Sequence, residues 1–349
     1  MENGVTGFAS LPIADELLAW YERNARELPW RENTDAYRVW VSEIMLQQTR
    51  VEAVKPYFLR FLQALPDVHA LAAVPEETLL KLWEGLGYYS RARNLQRAAK
   101  IIVERHGGKL PSDMRELLAL PGIGPYTAGA IASIAYDAAE PAVDGNVLRV
   151  LARLCGSDMD ITLPAARKEA ERVLRDLIPE EKPGTFNQAL MELGATVCLP
   201  NASPRCDNCP VSGLCRAHAQ GRETQLPGRS KKAPRRMEEL TVFVLRANGC
   251  VLVHKRENTG LLSGLWELPN LPGHLEQDAM AKQLSAWGIT PKGAIARYSR
   301  KHIFTHVEWH MRIYAMDAKC QSLPADWEWT MEQGGEHALP TAFRVCLRH

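Results

Sequence analysis

A chain of 349 residues is longer than one helical core comfortably fills, so two domains are expected. Its 46% hydrophobic and 24% charged residues are ordinary for a globular protein, and no apolar run reaches the ~18 residues of a membrane-spanning helix. A net charge of +1 does not announce a nucleic-acid partner, so any surface for a polyanion must be a local patch.

The N-terminal stretch MENGVTGFASLPIADELL lacks a basic segment followed by an apolar core, which predicts no secretory signal and a reducing cytosol. Up to about Gly221 the grammar is helical. Thr34 or Asp35 caps a long segment, YRVWVSEIMLQQTRVEAVKPYFLRFLQAL (37–65), with apolar residues three and four apart. Further helices are predicted over Pro75–Leu86, Ser90–His106, Met114–Leu120, Pro125–Tyr136, Val147–Leu154, Pro164–Leu177 and Phe186–Leu193, and nothing between them alternates as a strand. Arg222–Arg236 holds six basic residues and one acidic, a solvated linker that can still brush phosphates.

Beyond the linker the pattern changes. LTVFVL (240–245) and CVLVHK (250–255) flank Asn248-Gly249, a tight-hairpin signal, and Val307–Ala315 alternates with period two. One helix, Gln277–Trp287, separates these strands. The C-terminal 113 residues, with twelve basic and twelve acidic side chains, read as a small α+β domain.

Three features carry chemistry. In LPGIGPYTAGA (Leu120–Ala130), Gly122 and Gly124 sit between two helices and Pro125 occupies the first turn of the second. Such a turn is an ordinary helix–helix connection or one that brings backbone N–H groups close to a phosphate. VDGN (143–146) opens the next helix, so Asp144 is a ready N-cap. The N–H groups and helix dipole that make it one would also hold its carboxylate ionised, facing a developing cation. Glu43, inside the apolar run VWVSEIML, lies on a solvent face or is half-buried with a raised pKa. A raised pKa suits the general acid of glycosidic-bond cleavage, where one protonated and one ionised carboxyl cooperate.

Eight cysteines are present; Cys155, Cys250, Cys320 and Cys346 are scattered and read as packing residues. Cys198, Cys206, Cys209 and Cys215, spaced C-x7-C-x2-C-x5-C, can hold a [4Fe–4S] cluster or a zinc ion, and spacing alone does not separate the two. Asn201-Ala202-Ser203 matches a glycosylation sequon, which has no meaning in a cytosolic chain.

SEIMLQQT (42–49), GLGYYSRARNL (Gly85–Leu95), LPGIGPYTAGA, VDGNVLRVLAR (143–153) and FNQALMELGA (186–195) resemble, in order and spacing, the helix-hairpin-helix DNA glycosylases and within them the MutY-type adenine DNA glycosylases. The resemblance is most specific from about Leu28 to Cys215. It implies an all-α helix-hairpin-helix catalytic region over 1–221 with an iron–sulfur cluster loop. A six-helix barrel would span about 32–140, and a cluster subdomain would combine 1–31 with 141–221. The linker 222–236 and a C-terminal α+β Nudix-like domain over 237–349 would follow.

Carried over to matching positions, the resemblance makes Glu43 the residue that protonates adenine at N7 and Asp144 the group that stabilises the oxocarbenium ion or briefly bonds to it covalently. Tyr126 and Asn146 would position these groups and the water. Arg26, Trp30, Arg31, Leu46, Val51 and Gln188 would line the flipped-base pocket, and Gln48, Leu86 and Tyr88 would wedge beside the opposing guanine lesion. Gly122 and Gly124 would grip the DNA backbone. Strand-cutting relatives carry a lysine where Tyr126 stands, so a Schiff base is not expected and the product should be an intact strand with an abasic site.

The same resemblance implies a [4Fe–4S] cluster on the four cysteines, although seven residues (LPNASPR) separate the first two where the family usually has six. TVFVLRANGCVLVHKR (241–256) and GLLSGLWELPNLP (260–272) are similar to the Nudix fold, yet LEQDAMAKQLSAWGI (275–289) lacks its magnesium-binding glutamates. Recognition of 8-oxoguanine would use Phe304, Thr305 and His306, where the family has Phe-Ser-His. A monomer acting on double-stranded DNA with A:8-oxoguanine or A:G mispairs, in a bacterial cytoplasm, is expected. A lyase for oxidised pyrimidines is disfavoured by Tyr126 and by the C-terminal domain, and a nucleotide pyrophosphatase by the missing glutamates. A non-enzymatic iron–sulfur protein would not need both Glu43 and Asp144; a zinc-binding interaction protein accounts for the cysteines alone.

Overall fold

The computed structural model describes residues 13–200, 202–230, 233–320 and 323–348. Asn201 of the sequon, Lys231 and Lys232 of the linker, and most of the N-terminal stretch lie outside them. The chain divides into two compact units, Met1–Ala73 with Asn94–Lys231 and Val74–Arg93 with Lys232–His349. Residues 74–93, helical in sequence pattern, thus group with the C-terminal residues.

The helices run α1 (Ile13–Asn24), α2 (Ala36–Leu46), α3 (Val51–Ala64), α4 (Val68–Ala73), α5 (Glu76–Leu82), α6 (Ser90–Arg105), α7 (Met114–Leu118), α8 (Pro125–Tyr136), α9 (Gly145–Cys155), α10 (Pro164–Leu177), α11 (Pro183–Thr196) and α12 (Arg216–Ala219). The single long helix expected over 37–65 is two. Its N-cap is Asp35, which accepts from Arg38 N at 2.9 Å, but the helix stops at Leu46. Gln48 adopts a left-handed φ of 57°, and the chain restarts helically at Val51.

Helix α2 is buried from Tyr37 to Met45 on every side but one, because its residues are apolar nearly all round. Helix α9 buries Val147, Leu148, Val150, Leu151 and Leu154 against α1, α10 and α11 in one core. Close approach of these helices depends on missing side chains. A Cβ on Gly184 would lie 2.5 Å from the Ser133 oxygen, and one on Gly194 would lie 2.5 Å from Asn146 Cβ.

In the second unit, β1 (Arg236–Ala247), β2 (Cys250–Lys255), β3 (Trp266–Glu267), β4 (Asn270–Pro272), β5 (Ile289–Ile303), β6 (Val307–Cys320) and β7 (Trp327–Met331) form one sheet. Its spine is β3-β2-β1-β6-β5; β4 pairs with β1 and β7 with β2. The Asn248-Gly249 hairpin is present, with φ of 51° and 77° and Ala247 opposite Cys250. Strand alternation sends Val242 and Val244 to one face, covered by α14 (Thr341–Leu347), and Phe243 and Leu245 to the other, covered by α13 (Gln277–Ala286).

Candidate active site

The turn between α7 and α8 is closed by glycine geometry. Gly122 takes φ 79°, and a Cβ there would sit 2.8 Å from Asn94 Cβ. Gly124 caps α8, Pro125 begins it, and Tyr126 follows one residue later. Gly124 faces open space, with nothing within 4 Å of where its Cβ would be.

Tyr126 turns inward and donates its hydroxyl to Oε2 of Glu43. Glu43 is 6% exposed, which settles the two readings its sequence left open: it is a buried carboxyl and not a solvent-face one. Burial pushes it up to about 7, the Tyr126 hydrogen bond pulls it down, Asp144 pushes up and Arg31 pulls down.

Asp144 caps α9. Its Oδ1 accepts from Asn146 N and Val147 N, both at 2.8 Å, and its Oδ2 accepts from Asn146 Nδ2 at 2.7 Å. Burial raises the Asp144 carboxyl by more than these donors and Arg149 lower it. The N-cap donors expected to keep it ionised are therefore present, but desolvation outweighs them in sign.

Glu43, Tyr126, Asp144 and Asn146 line one cavity of about 500 Å³ together with Arg26, Trp30, Arg31, Leu46, Gln48, Val51 and Gln188. Each of these residues was picked out from sequence. Glu192 and Arg167 were not, yet both belong to the wall. Glu192 lies one helical turn after Gln188 in FNQALMELGA, so the spacing that carries Gln188 to the cavity carries Glu192 too. Arg167, on α10, donates to the backbone oxygen of Val143, immediately before Asp144.

The remaining candidates lie in the second unit. Phe304, Thr305 and His306 form the tip joining β5 to β6, closed by Phe304 N donating to Val307 O at 2.8 Å. Thr305 and His306 are exposed, while Phe304 packs edge-on to Trp309 at 4.9 Å. The Tyr88 and Thr305 hydroxyls are hydrogen-bonded at 2.7 Å. Tyr88 is 46% exposed, whereas Leu86 is 6% exposed and does not project as a wedge would.

The four clustered cysteines line a common pocket with Arg153, His218 and Glu223. Tetrahedral zinc would hold thiolate sulfurs roughly 3.8 Å apart, from a Zn–S bond of about 2.3 Å. Among the described residues, the donors gathered within 4.8 Å of one another are Cys206, His218 and Glu223, not any three of the four cysteines. No three of the four sulfurs meet a spacing of that order, and four thiols lining one pocket are a donor set that a larger bridging cluster would accept. Arg153 donates to Cys198 Sγ at 3.1 Å and to Leu199 O at 2.9 Å, offering a thiolate partner beside the pocket.

A helical unit with a Gly-Pro hairpin and, on one cavity, a buried and a half-buried carboxyl, joined to a Nudix-type sheet, defines a base-excision DNA glycosylase. Residues 41–180 match the HhH-GPD superfamily of base excision DNA repair proteins, and residues 241–349 match the NUDIX domain. The chain belongs to the adenine DNA glycosylase family. It is 36% identical to the adenine DNA glycosylase of Rattus norvegicus over 95% of this chain and 76% of that one. It is 34% identical to the Homo sapiens protein over 95% and 72%. Among solved structures it is similar to a thermostable thymine-DNA glycosylase (TM-score 0.54, 27% identity, 60% of this chain and 95% of that one). It is likewise similar to endonuclease III in a trapped covalent DNA intermediate (TM-score 0.51, 26% identity, 60% and 94%). No described helix is long and apolar enough to cross a membrane.

Proposed function

We propose that this enzyme hydrolyses the N-glycosidic bond of adenine opposite 8-oxoguanine or guanine and leaves the strand intact. The observation that carries this reading is the placement of Glu43, buried, and Asp144, half-buried, on one cavity with Tyr126 bonded to Glu43.

The flipped adenine enters the cavity between Trp30, Leu46 and Val51 on its apolar side and Arg26, Arg31 and Gln188 on its polar side. Glu43, raised to about 7, is protonated in about half of the molecules at neutral pH and transfers that proton to N7, so the base departs as a neutral group. Positive charge then develops on the sugar. Asp144 faces it with a carboxylate whose geometry is fixed by the Asn146 and Val147 donors. Water then adds to C1′ of the sugar and gives up its proton to the Glu43 carboxylate left by the first step. No lysine is among the residues lining the cavity, so no amine is offered for a Schiff base, which supports hydrolysis without strand cleavage.

The exposed Thr305–His306 tip, with Tyr88 bonded to Thr305, is the surface suited to reading 8-oxoguanine. Cys198, Cys206, Cys209 and Cys215 would hold a [4Fe–4S] cluster, which supplies structural cross-linking of the segment after α11.

The test is a duplex holding adenine opposite 8-oxoguanine, incubated with enzyme and then treated with alkali. Wild type should give cleavage at the adenine only after alkali. Glu43→Gln and Asp144→Asn should abolish it; cleavage equal to wild type by either variant refutes the chemistry.

A further inference from the structure

Three acidic residues line the cavity, and the reaction as described uses two. The third, Glu192, has a side chain with 0% exposure. Its Oε1 accepts from Arg26 Nε at 2.6 Å and from Arg26 backbone N at 3.2 Å. Its Oε2 accepts from Arg26 Nη2 and from Arg31 Nη2, each at 2.9 Å. Arg31 closes the loop by donating Nη1 to Arg26 O at 3.2 Å, and its guanidinium lies 5.4 Å over the Tyr21 ring. Tyr21 in turn donates to Gln188 Oε1 at 3.2 Å.

Four hydrogen bonds thus tie a segment before α2 to helix α11 through one carboxylate. Burial alone would push that carboxyl up, but the Arg26 hydrogen bond and the Arg31 charge outweigh it and hold it below its ordinary value. Two guanidiniums against one carboxylate leave one net positive charge on this wall. The opposite carboxyls are Glu43, which is faced by Tyr126, Asp144 and Arg31, and Asp144, which is faced by Asn146 and Arg149. Arg167 also reaches the cavity, from α10.

We infer that Glu192 is a positioning residue: it locks Arg26 and Arg31 into one rigid wall for the flipped adenine and fixes at one the net positive charge that wall presents towards Glu43. Guanidiniums only donate, so a wall of this kind meets a ring-nitrogen acceptor of the base and not its amino group. Without Glu192 the two cations would repel each other, and the wall would gain a full charge. The inference rests on the reading of the cavity as the adenine pocket.

The experiment follows single-turnover adenine release against pH for wild type, Glu192→Gln and Glu192→Asp, with melting temperature and cluster absorbance recorded alongside. Glu192→Gln should lower the rate about tenfold or more. It should also move the alkaline limb to lower pH by on the order of half a unit, since an added positive charge favours ionised Glu43. Glu192→Asp keeps the charge and should restore the limb. An unmoved limb in Glu192→Gln, or identical limbs for the Gln and Asp variants, overturns the inference whatever happens to the rate. Should Glu192→Gln fail to fold, Arg31→Gln decides: removing a positive charge must move the limb to higher pH, and an unmoved limb overturns the inference. A wild-type protein that leaves adenine in place refutes the adenine-pocket reading itself, which separates that failure from this one.

Discussion

Arg149 donates Nη2 to Asn146 Oδ1 at 2.9 Å and Nε to the backbone oxygen of Cys198 at 2.8 Å. Asn146 donates onward to Asp144 Oδ2 at 2.7 Å. Three hydrogen bonds therefore connect the first of the clustered cysteines to a cavity carboxylate. Arg149 is 3% exposed, and its Nη2 also reaches Gly194 O at 2.8 Å, so truncation leaves several buried acceptors unpaired. Arg149→Gln should destabilise the helical unit by about 2–4 kcal/mol. It should also lower cluster absorbance per mole of protein together with adenine release. Full cluster content and full activity in that variant would show that the connection carries nothing.

The burial of Glu43 makes the stability of the fold depend on pH. Its folded pKa of about 7 lies above the ordinary value of 4.5, so the fold favours its proton. The stabilisation is complete below about pH 4.5 and is lost as pH rises through 7. A shift of this size corresponds to about 3 kcal/mol. Glu43→Gln, neutral at every pH, should therefore melt higher than wild type at about pH 8 and close to it at about pH 5. A constant difference in melting temperature across that range would contradict the buried, proton-retaining carboxyl.

The same proton sets the activity profile. With Glu43 as general acid, adenine release should fall as pH rises past about 7. Tyr126→Phe removes the hydrogen bond that pulls Glu43 down, so its alkaline limb should move upward while the acid side loses rate. A limb that moves down would show that the hydroxyl is not stabilising the carboxylate form.

Placing an amine at the hairpin position offers a direct check on strand cleavage. Tyr126→Lys projects a lysine into the cavity in place of a phenol and should give a borohydride-trapped DNA adduct in far higher yield than wild type. Comparable adduct yields in the two proteins would mean that residue 126 does not decide between hydrolysis and lyase chemistry.

On the proposed [4Fe–4S] assignment, extraction of iron from the four-cysteine pocket should disturb more than that pocket. The sulfurs pack beside Val150, Leu154, Leu193 and Val197, on the same helices that carry Asp144 and Glu192. Chelated protein should melt lower and lose DNA binding, both measurable by calorimetry and gel retardation. Unchanged melting would show that the site does not hold these helices together.

The grouping of Tyr126, Asp144 and Asn146 on one cavity was legible because it is made of local signals: a cap at Asp144, a Gly-Pro turn before Tyr126, and short segments in a fixed order. Helices bounded by Pro125 and Pro164 were placed to the residue for the same reason. What escaped was tertiary. The break at Gln48 comes from a left-handed backbone that no helix propensity announces. Glu43's environment depended on α2 being enclosed on all sides but one, which its own sequence cannot report. Strand β5, at one end of the sheet spine, escaped because its first half is a run of exposed residues instead of an alternating pattern. Leu86 read as a projecting wedge but packs inward, while its neighbour Tyr88 is the exposed one.

Gly194 has no room for even a methyl group against Asn146. The register between the helix bearing Gln188 and Glu192 and the helix opening at Asp144 is therefore gauged by a single hydrogen atom. One nucleotide change suffices to turn a glycine codon into an alanine codon, so a minimal genetic event forces these two helices apart. In most enzymes such an event harms only its own pathway. In one that removes adenine from DNA in base excision repair it raises the rate at which other genes are rewritten, and this close contact becomes a point where heritable error feeds on itself.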